Sequence, residues 1–184
     1  MEFKTTNIPD VIHITSPIFT DQRGDFSETY RKQEFDQAGI ELPFVQDNHA
    51  GSHQGVLRGL HYQIQQVQGK LVRVISGTVY DVAVDLRQSS PTFGQYVGIL
   101  LTGKEKNQLW VPPGFAHGYY VISEWAEVSY KVTDYYAPKW ERTLLWNDPD
   151  LKIDWPLLKG QSPLLSVNDR QGNPFKDAEK YDSL

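Results

Sequence analysis

The sequence predicts a mainly β fold, two antiparallel sheets closing on each other as a sandwich or jelly roll. Three observations carry this. Between residues 56 and 132 the chain breaks into short extended runs separated by turn residues, the spacing of antiparallel strands. Helical pattern is confined to a short amphipathic piece at 31–38 and a last turn near 176–181, far less crossover helix than a parallel sheet needs. Ser76-Gly77-Thr78 makes a tight turn between two of the runs, which suits adjacent strands of a closed β structure.

Taken in order, residues 3–6 and 11–16 are short extended segments suited to joining a sheet edge, their own or a neighbour's. The expected core strands occupy about residues 45–133, with runs at 56–63, 70–76, 78–86, 95–101, 107–111, 116–122 and 127–132. In the run after Tyr80 polar and apolar residues alternate, so the valines and the carboxylates of Asp81 and Asp85 face opposite sides, with solvent as the expected side for the carboxylates. Residues 134–165 are rich in Pro, Trp and Asp with little periodicity, and read as ordered loops wrapping the barrel. No repeat or low-complexity tract divides the chain, so residues 1–184 are expected to form one domain.

Composition narrows the chemistry. Aromatic residues make up 12% of the chain, which suits a β-rich core or a pocket that stacks flat ligands. The net charge is −5 and the Lys and Arg residues are scattered, which argues against a nucleic-acid partner; an anionic ligand would need a local cationic pocket. The absence of cysteine excludes disulfides, thiolate catalysis and thiolate-ligated metals, and fits a cytoplasmic setting. Residues 1–17 lack the apolar centre of a signal peptide, and no apolar stretch approaches the roughly 20 residues that span a bilayer, so no membrane partner is expected.

Two segments carry candidate chemistry. In 55–63 (GVLRGLHYQ) alternation puts His61 and Gln63 on one face and Leu60 and Tyr62 on the other, and Lys70 opens the next run, able to sit across the barrel mouth from His61. Alone, a strand histidine is more often a hydrogen-bonded structural residue than a base. In 109–118 (LWVPPGFAHG) the Pro-Gly corner followed by His117 resembles the second motif of cupins, whose barrels often use that histidine as a metal ligand. Those metal sites draw a His-x-His pair from the earlier motif, whereas here His61-Tyr62-Gln63 offers one histidine. No metal is therefore expected, and His117 reads as a substrate-contacting or structural residue.

Together, ten ordered stretches resemble the dTDP-4-dehydrorhamnose 3,5-epimerase family of cupins: 21–28 (DQRGDFSE), 44–49 (FVQDNH), 56–61 (VLRGLH), 68–73 (QGKLVR), 81–85 (DVAVD), 90–94 (SPTFG), 113–118 (PGFAHG), 130–136 (YKVTDYY), 146–149 (WNDP) and 165–169 (LSVND). The resemblance implies a cofactor-independent epimerase of a dTDP-4-keto-6-deoxysugar. By it, His61 is the base, Asp169 orients it, Tyr130 is the acid and Lys70 stabilises an enolate. Arg58, expected on the same strand face as His61, reaches the diphosphate. Arg23, Glu28, Gln46, Asp47, Asn48, His117 and Glu141 match binding positions, and Tyr136 is placed to stack on thymine. Read from the residues alone, Arg23 and Glu28 make an ordinary surface ion pair, Asp169 a turn former and Tyr130 a core aromatic. Asn168 stands where a relative in that family carries a lysine with a substrate-binding role; Lys159, Arg170 or another side chain is the candidate replacement. The resemblance also implies a homodimer. Other readings are a 3- or 5-monoepimerase, a metal-dependent cupin and a non-catalytic cupin.

Overall fold

The computed structural model describes residues 1–182. In chain order its elements are β1 (Glu2–Thr5), β2 (Ile12–Thr15), β3 (Phe19–Asp21), β4 (Gly24–Phe26), helix α1 (Lys32–Gln37), β5 (Gln46–His53), β6 (Leu57–Gln63), β7 (Lys70–Ser76), β8 (Thr78–Asp85), β9 (Tyr96–Thr102), β10 (Gln108–Val111), β11 (Phe115–Val121), β12 (Trp125–Val132), a 3-10 turn at Pro138–Trp140, β13 (Glu141–Thr143) and helix α2 (Val167–Arg170). A six-stranded sheet runs β1-β2-β10-β7-β12-β5 and a five-stranded sheet runs β13-β6-β11-β8-β9, with β3 and β4 forming a separate hairpin. The pairings are antiparallel. This is the expected β-sandwich, and the seven expected runs are its strands β6 to β12.

Alternation along the strands sorts the apolar residues into layers. Val72, Val74, Leu109, Val111 and Val128 of the six-stranded sheet meet Val79, Ala83, Val97, Leu101 and Val121 of the five-stranded sheet in the core between them. The outer face of the five-stranded sheet carries Leu57, Leu60, Tyr62, Val82, Val84 and Tyr120, covered by Leu144, Leu151, Trp155 and Tyr181 from the C-terminal loops. The outer face of the other sheet packs Ile14, Leu71 and Trp110 against Phe35 of α1.

That second layer corrects one expectation. Asp81 and Asp85 lie opposite the valines as alternation demands, but both carboxylates are fully buried. Both faces of β8 are covered, so its polar side turns inward. Asp85 accepts hydrogen bonds from Arg87, Ser90 and Thr92, and Asp81 is taken up at the site described below. The last turn expected at 176–181 is also not a helix. Pro174 opens a single turn, Ala178 N to Pro174 O (3.0 Å), after which Tyr181 is held extended beside Arg87. A four-residue helix, α2, stands instead where a turn former was expected, capped by Ser166. The short β3–β4 hairpin and β13 were not foreseen, being three residues each, too short for an alternation signal.

One irregularity positions the site. Along the β6–β11 pair His117 faces His61, while Tyr119 faces Arg58, so Gly59 and Leu60 together oppose Gly118. This is a bulge, an extra residue on one strand that re-aims the side chains beyond it. Gly59 has φ +127°, and a Cβ there would lie 2.5 Å from Gly118 Cα. Gly59→Ala is therefore expected to cost roughly 2–4 kcal/mol, read as a lowered midpoint in chemical denaturation. Gly39→Ala is the control: φ is +84° with nothing within 4 Å of an added Cβ, so the loss should be about 1–2 kcal/mol from the backbone alone. Equal losses would show that close approach of the two strands at Gly59 contributes nothing.

Candidate active site

Between the sheets lies a cavity of about 350 Å³, within the range of small-ligand sites. From the five-stranded sheet come Arg58 and His61 on β6 and His117 and Tyr119 on β11; from the six-stranded sheet come Gln46, Asn48 and Ala50 on β5, Lys70 on β7 and Tyr130 on β12. Gln68, Tyr136 and Glu141 complete the lining from the loops and β13. Arg58 and His61 are three residues apart and would point to opposite faces of a regular strand; the bulge at Gly59 and Leu60 brings them to one face.

His61 is held by Asp169. Its Nε2 lies 2.6 Å from Asp169 Oδ1. An ionised carboxylate only accepts, so Nε2 carries the proton and the lone pair sits on Nδ1, free to take another. The helix α2 fixes the carboxylate: Ser166 Oγ accepts from Asp169 N (3.1 Å) and donates to Asp169 Oδ2 (2.7 Å), and Gly59 N donates to Oδ1 (3.3 Å). Burial alone would raise the Asp169 carboxyl, yet the hydrogen bonds from His61 and Ser166 hold it below the usual carboxylate range. Asp169 is therefore ionised at neutral pH.

A second histidine–carboxylate contact lies alongside. His117 Nε2 meets Asp81 Oδ1 at 2.9 Å, both side chains buried. His117 thus lines the cavity while anchored from behind. Among the described residues no three His, Asp or Glu side chains gather in a metal-binding group. Gln63, which stands where a metal-binding His-x-His pair has its second histidine, is committed elsewhere: its amide donates to Gln66 O and Tyr135 O and accepts from Ala137 N, fixing the loop that carries Tyr136.

The cations are local. Lys70 is almost wholly buried, with Nζ 3.3 Å from His61 O, and burial pushes it down to about 8 against the pull of Asp81 and Glu141. Arg58 donates from Nε to Ser52 Oγ (3.0 Å). Tyr130 is half-buried; desolvation raises its phenol above the ordinary value and the Arg58 charge pulls it partly back, so it is a protonated donor at neutral pH. Gln46 Nε2 donates to Asn48 Oδ1 (2.9 Å) and its Oε1 accepts from Tyr136 N (3.0 Å), while Tyr136 Oη donates to Glu141 Oε2 (2.9 Å). These four form one connected polar rim.

Three expected binding residues lie outside this cavity. Asp47 alternates away from Gln46 and Asn48 and pairs with Lys131 (2.9 Å) on the other face of β5. Arg23 projects from the β3–β4 hairpin into solvent, paired with Asp21 (2.5 Å). Glu28 pairs with Arg31 (2.9 Å). Asn168 is exposed on α2, and Arg170 donates to Leu165 O (3.2 Å) rather than to the cavity. Sequence reasoning missed Tyr119, Ala50 and Gln68 in the lining and Ser166 behind Asp169. Gln68 lies within the family-like stretch 68–73 and Ser166 is an N-cap residue, so both carried a usable signal.

The chain is similar to known proteins along nearly its whole length. The dTDP-4-dehydrorhamnose 3,5-epimerase family model matches residues 5–177. The chain is 58% identical over 175 residues to the dTDP-4-dehydrorhamnose 3,5-epimerase of Pseudomonas aeruginosa, covering 95% of this chain and 96% of that one. Its fold is similar to the crystal structure of a dTDP-6-deoxy-D-glucose-3,5-epimerase from Legionella pneumophila in complex with dTDP-4-keto-L-rhamnose, with TM-score 0.93, 47% identity and coverage of 97% and 94%. It is also similar to ChmJ, a 3'-monoepimerase from Streptomyces bikiniensis in complex with dTDP-quinovose, with TM-score 0.87, 32% identity and coverage of 94% and 87%. A family model that matches almost the whole chain, joined to a relative 58% identical over nearly the full length of both chains, means that the chain belongs to the dTDP-4-dehydrorhamnose 3,5-epimerase family.

Proposed function

We infer that the chain, acting as one domain, catalyses the 3,5-epimerisation of dTDP-4-dehydro-6-deoxy-D-glucose to dTDP-4-dehydro-L-rhamnose, an isomerase step of dTDP-L-rhamnose biosynthesis. The observation that carries the reading is that His61 and Tyr130 line one cavity from different sheets. C3 and C5 each neighbour the C4 carbonyl, so loss of either proton gives an enolate whose charge spreads onto O4. Inversion requires the proton to leave one face and return on the other, hence a base and an acid that approach from opposite sides. His61, its Nε2–H spent on Asp169, is the base; Tyr130, held protonated by burial, is the acid. Every proton lost is returned and no electrons are exchanged, so the chemistry calls for no redox cofactor.

Lys70 is assigned to O4. A buried ammonium aimed at developing negative charge works in a weakly screened setting, where one such donor is worth about 10²–10³ in rate. Arg58 is assigned to the diphosphate, and Gln46, Asn48, Tyr136 and Glu141 to the nucleotide, with His117 on the cavity wall beside His61. The working unit in this reading is a homodimer. Arg23 and Glu28 match family binding positions yet lie away from this chain's own cavity, and Arg23 shares its hairpin with Phe19 and Phe26, which are 64% and 68% exposed. Apolar rings so exposed suit contact with a second copy, which would carry these residues to the neighbour's nucleotide. A cysteine-free chain is consistent with a cytoplasmic setting, and no described helix is long and apolar enough to cross a membrane. The likeness to a 3'-monoepimerase keeps single-carbon epimerisation as the second reading.

In D₂O, the 4-keto sugar nucleotide should gain solvent deuterium at both C3 and C5 without added metal or NAD; label at one carbon alone selects the monoepimerase reading. His61→Ala and Tyr130→Phe should each lower turnover by about 10²–10⁴ with little change in dTDP affinity. Exchange left intact in His61→Ala would remove His61 from the role of base.

The pH profile tests Lys70. Its folded-state value lies below the ordinary one, so the free protein carries the charge below about pH 8 and loses it above. kcat/KM should therefore fall as pH rises through about 8, while the raised Tyr130 phenol stays protonated through that range. Lys70→Met should remove this limb and lower kcat by about 10²–10³. An unchanged limb would assign it to another group.

A further inference from the structure

Tyr119 is a cavity residue to which the reaction above gives no task. It belongs to β11, in register with Arg58 on β6 and Asp81 on β8. Its ring packs into the core between the sheets and is 3% exposed, yet the same side chain lines the cavity beside Tyr130 and Arg58. Its hydroxyl is buried and makes no hydrogen bond. Ser52 is close enough to influence the phenol, but no contact between them meets hydrogen-bond geometry, and Ser52 Oγ is already engaged by Arg58 Nε at 3.0 Å.

A buried donor without a partner weakens the free fold, because water was given up and nothing replaced it. Phenylalanine would fill the same space without that cost, so the hydroxyl has no use in the unliganded chain. Tyrosine hydroxyls in a core otherwise find a partner. Desolvation holds the phenol above its ordinary value, so it remains a neutral O–H through the working pH range, able to donate. What enters this cavity, on the epimerase reading, is a sugar diphosphate rich in acceptor oxygens.

We propose that Tyr119 Oη donates a hydrogen bond to an acceptor oxygen of the bound sugar diphosphate, beside Arg58 and Tyr130, and is a specificity-determining contact of this site. The acceptor is either an oxygen of the sugar or one of the phosphate next to it, since both chemistries can meet a phenol that neighbours an arginine. The contact is made on binding and kept through the reaction, so it contributes to affinity and not to the proton transfers themselves. The proposal rests on the epimerase reading for the identity of the ligand.

Tyr119→Phe in the full chain tests it, because only one oxygen is removed. KM for the 4-keto sugar nucleotide should rise about three- to ten-fold, the value of one neutral hydrogen bond, with kcat unchanged. The melting temperature without ligand should stay level or rise, since an unsatisfied group has gone. Calorimetric affinity for dTDP separates the two acceptors: it weakens in parallel if the oxygen belongs to the phosphate and is unchanged if it belongs to the sugar. An unchanged KM overturns the proposal, as does a loss confined to kcat. A lowered melting temperature also overturns it, by showing that the hydroxyl already has a partner in the free protein. Wild-type turnover is the separate check on the epimerase reading: an inactive wild type whose sugar-nucleotide affinity still falls on Tyr119→Phe would defeat that reading and leave this contact standing.

Discussion

The 2.6 Å hydrogen bond between His61 Nε2 and Asp169 Oδ1 joins residues 108 positions apart, and the site depends on it. A carboxylate that is 2% exposed must have its lone pairs satisfied, and here His61, Ser166 and Gly59 divide them. Delivering Asp169 to that place requires the C-terminal segment to be fastened over the outer face of the five-stranded sheet. It is fastened by backbone pairs between Leu144 and Leu60, Leu57 and Leu164, and Leu145 and Asn173, with Leu144, Leu151 and Trp155 closing the apolar layer beneath. The loops that looked like wrapping in the sequence thus act as the arm that sets the tautomer of His61.

Charge at the site is decided locally and against the sign of the whole molecule. The chain carries −5, yet Arg58 and Lys70 line the cavity and the carboxylates near it are occupied. Asp169 is spent on His61 and Asp81 on His117, while Asp81 also steadies the buried Lys70 charge from behind. The cost of burying Lys70 falls short of neutralising it at pH 7, which leaves an ammonium that is charged but poorly hydrated. Such a group interacts strongly with an oxyanion because little solvent screens it.

The strands were legible because short extended runs between turn residues are a local signal, and β6 to β12 fall on those runs. The same rule separates Asp47 from Gln46 and Asn48, a distinction that motif matching passed over and one turn of the strand enforces. What local pattern cannot express is the bulge at Gly59, visible only when β11 is laid beside β6, and without it Arg58 and His61 part company. Asp169 was reachable only through family resemblance, since a turn-forming aspartate looks the same whether or not a histidine waits 108 residues away. Tyr119 was hidden for the opposite reason: on an apolar-patterned strand its ring reads as core, and the orphaned hydroxyl emerges only once its surroundings are counted.

A sandwich suits this chemistry for a geometric reason. A planar enolate has two faces, and a catalyst that inverts a carbon must touch both at once. Two sheets packed face to face supply opposed walls as a condition of folding, so His61 on β6 and Tyr130 on β12 reach one cavity from different sheets by the same inward-pointing alternation that builds the core. The core and the site are then one layer, apolar where valines meet and polar where His61, Lys70 and Tyr130 replace them. Each replacement removes apolar contact from the layer and must be compensated by partners behind it, as Asp169 and Asp81 do for the two histidines. Tyr119 stands where the compensation stops short, its ring part of the apolar layer and its oxygen buried and unpaired in a side chain that lines the cavity, which makes it the point at which the stability of the free fold and the needs of the ligand diverge.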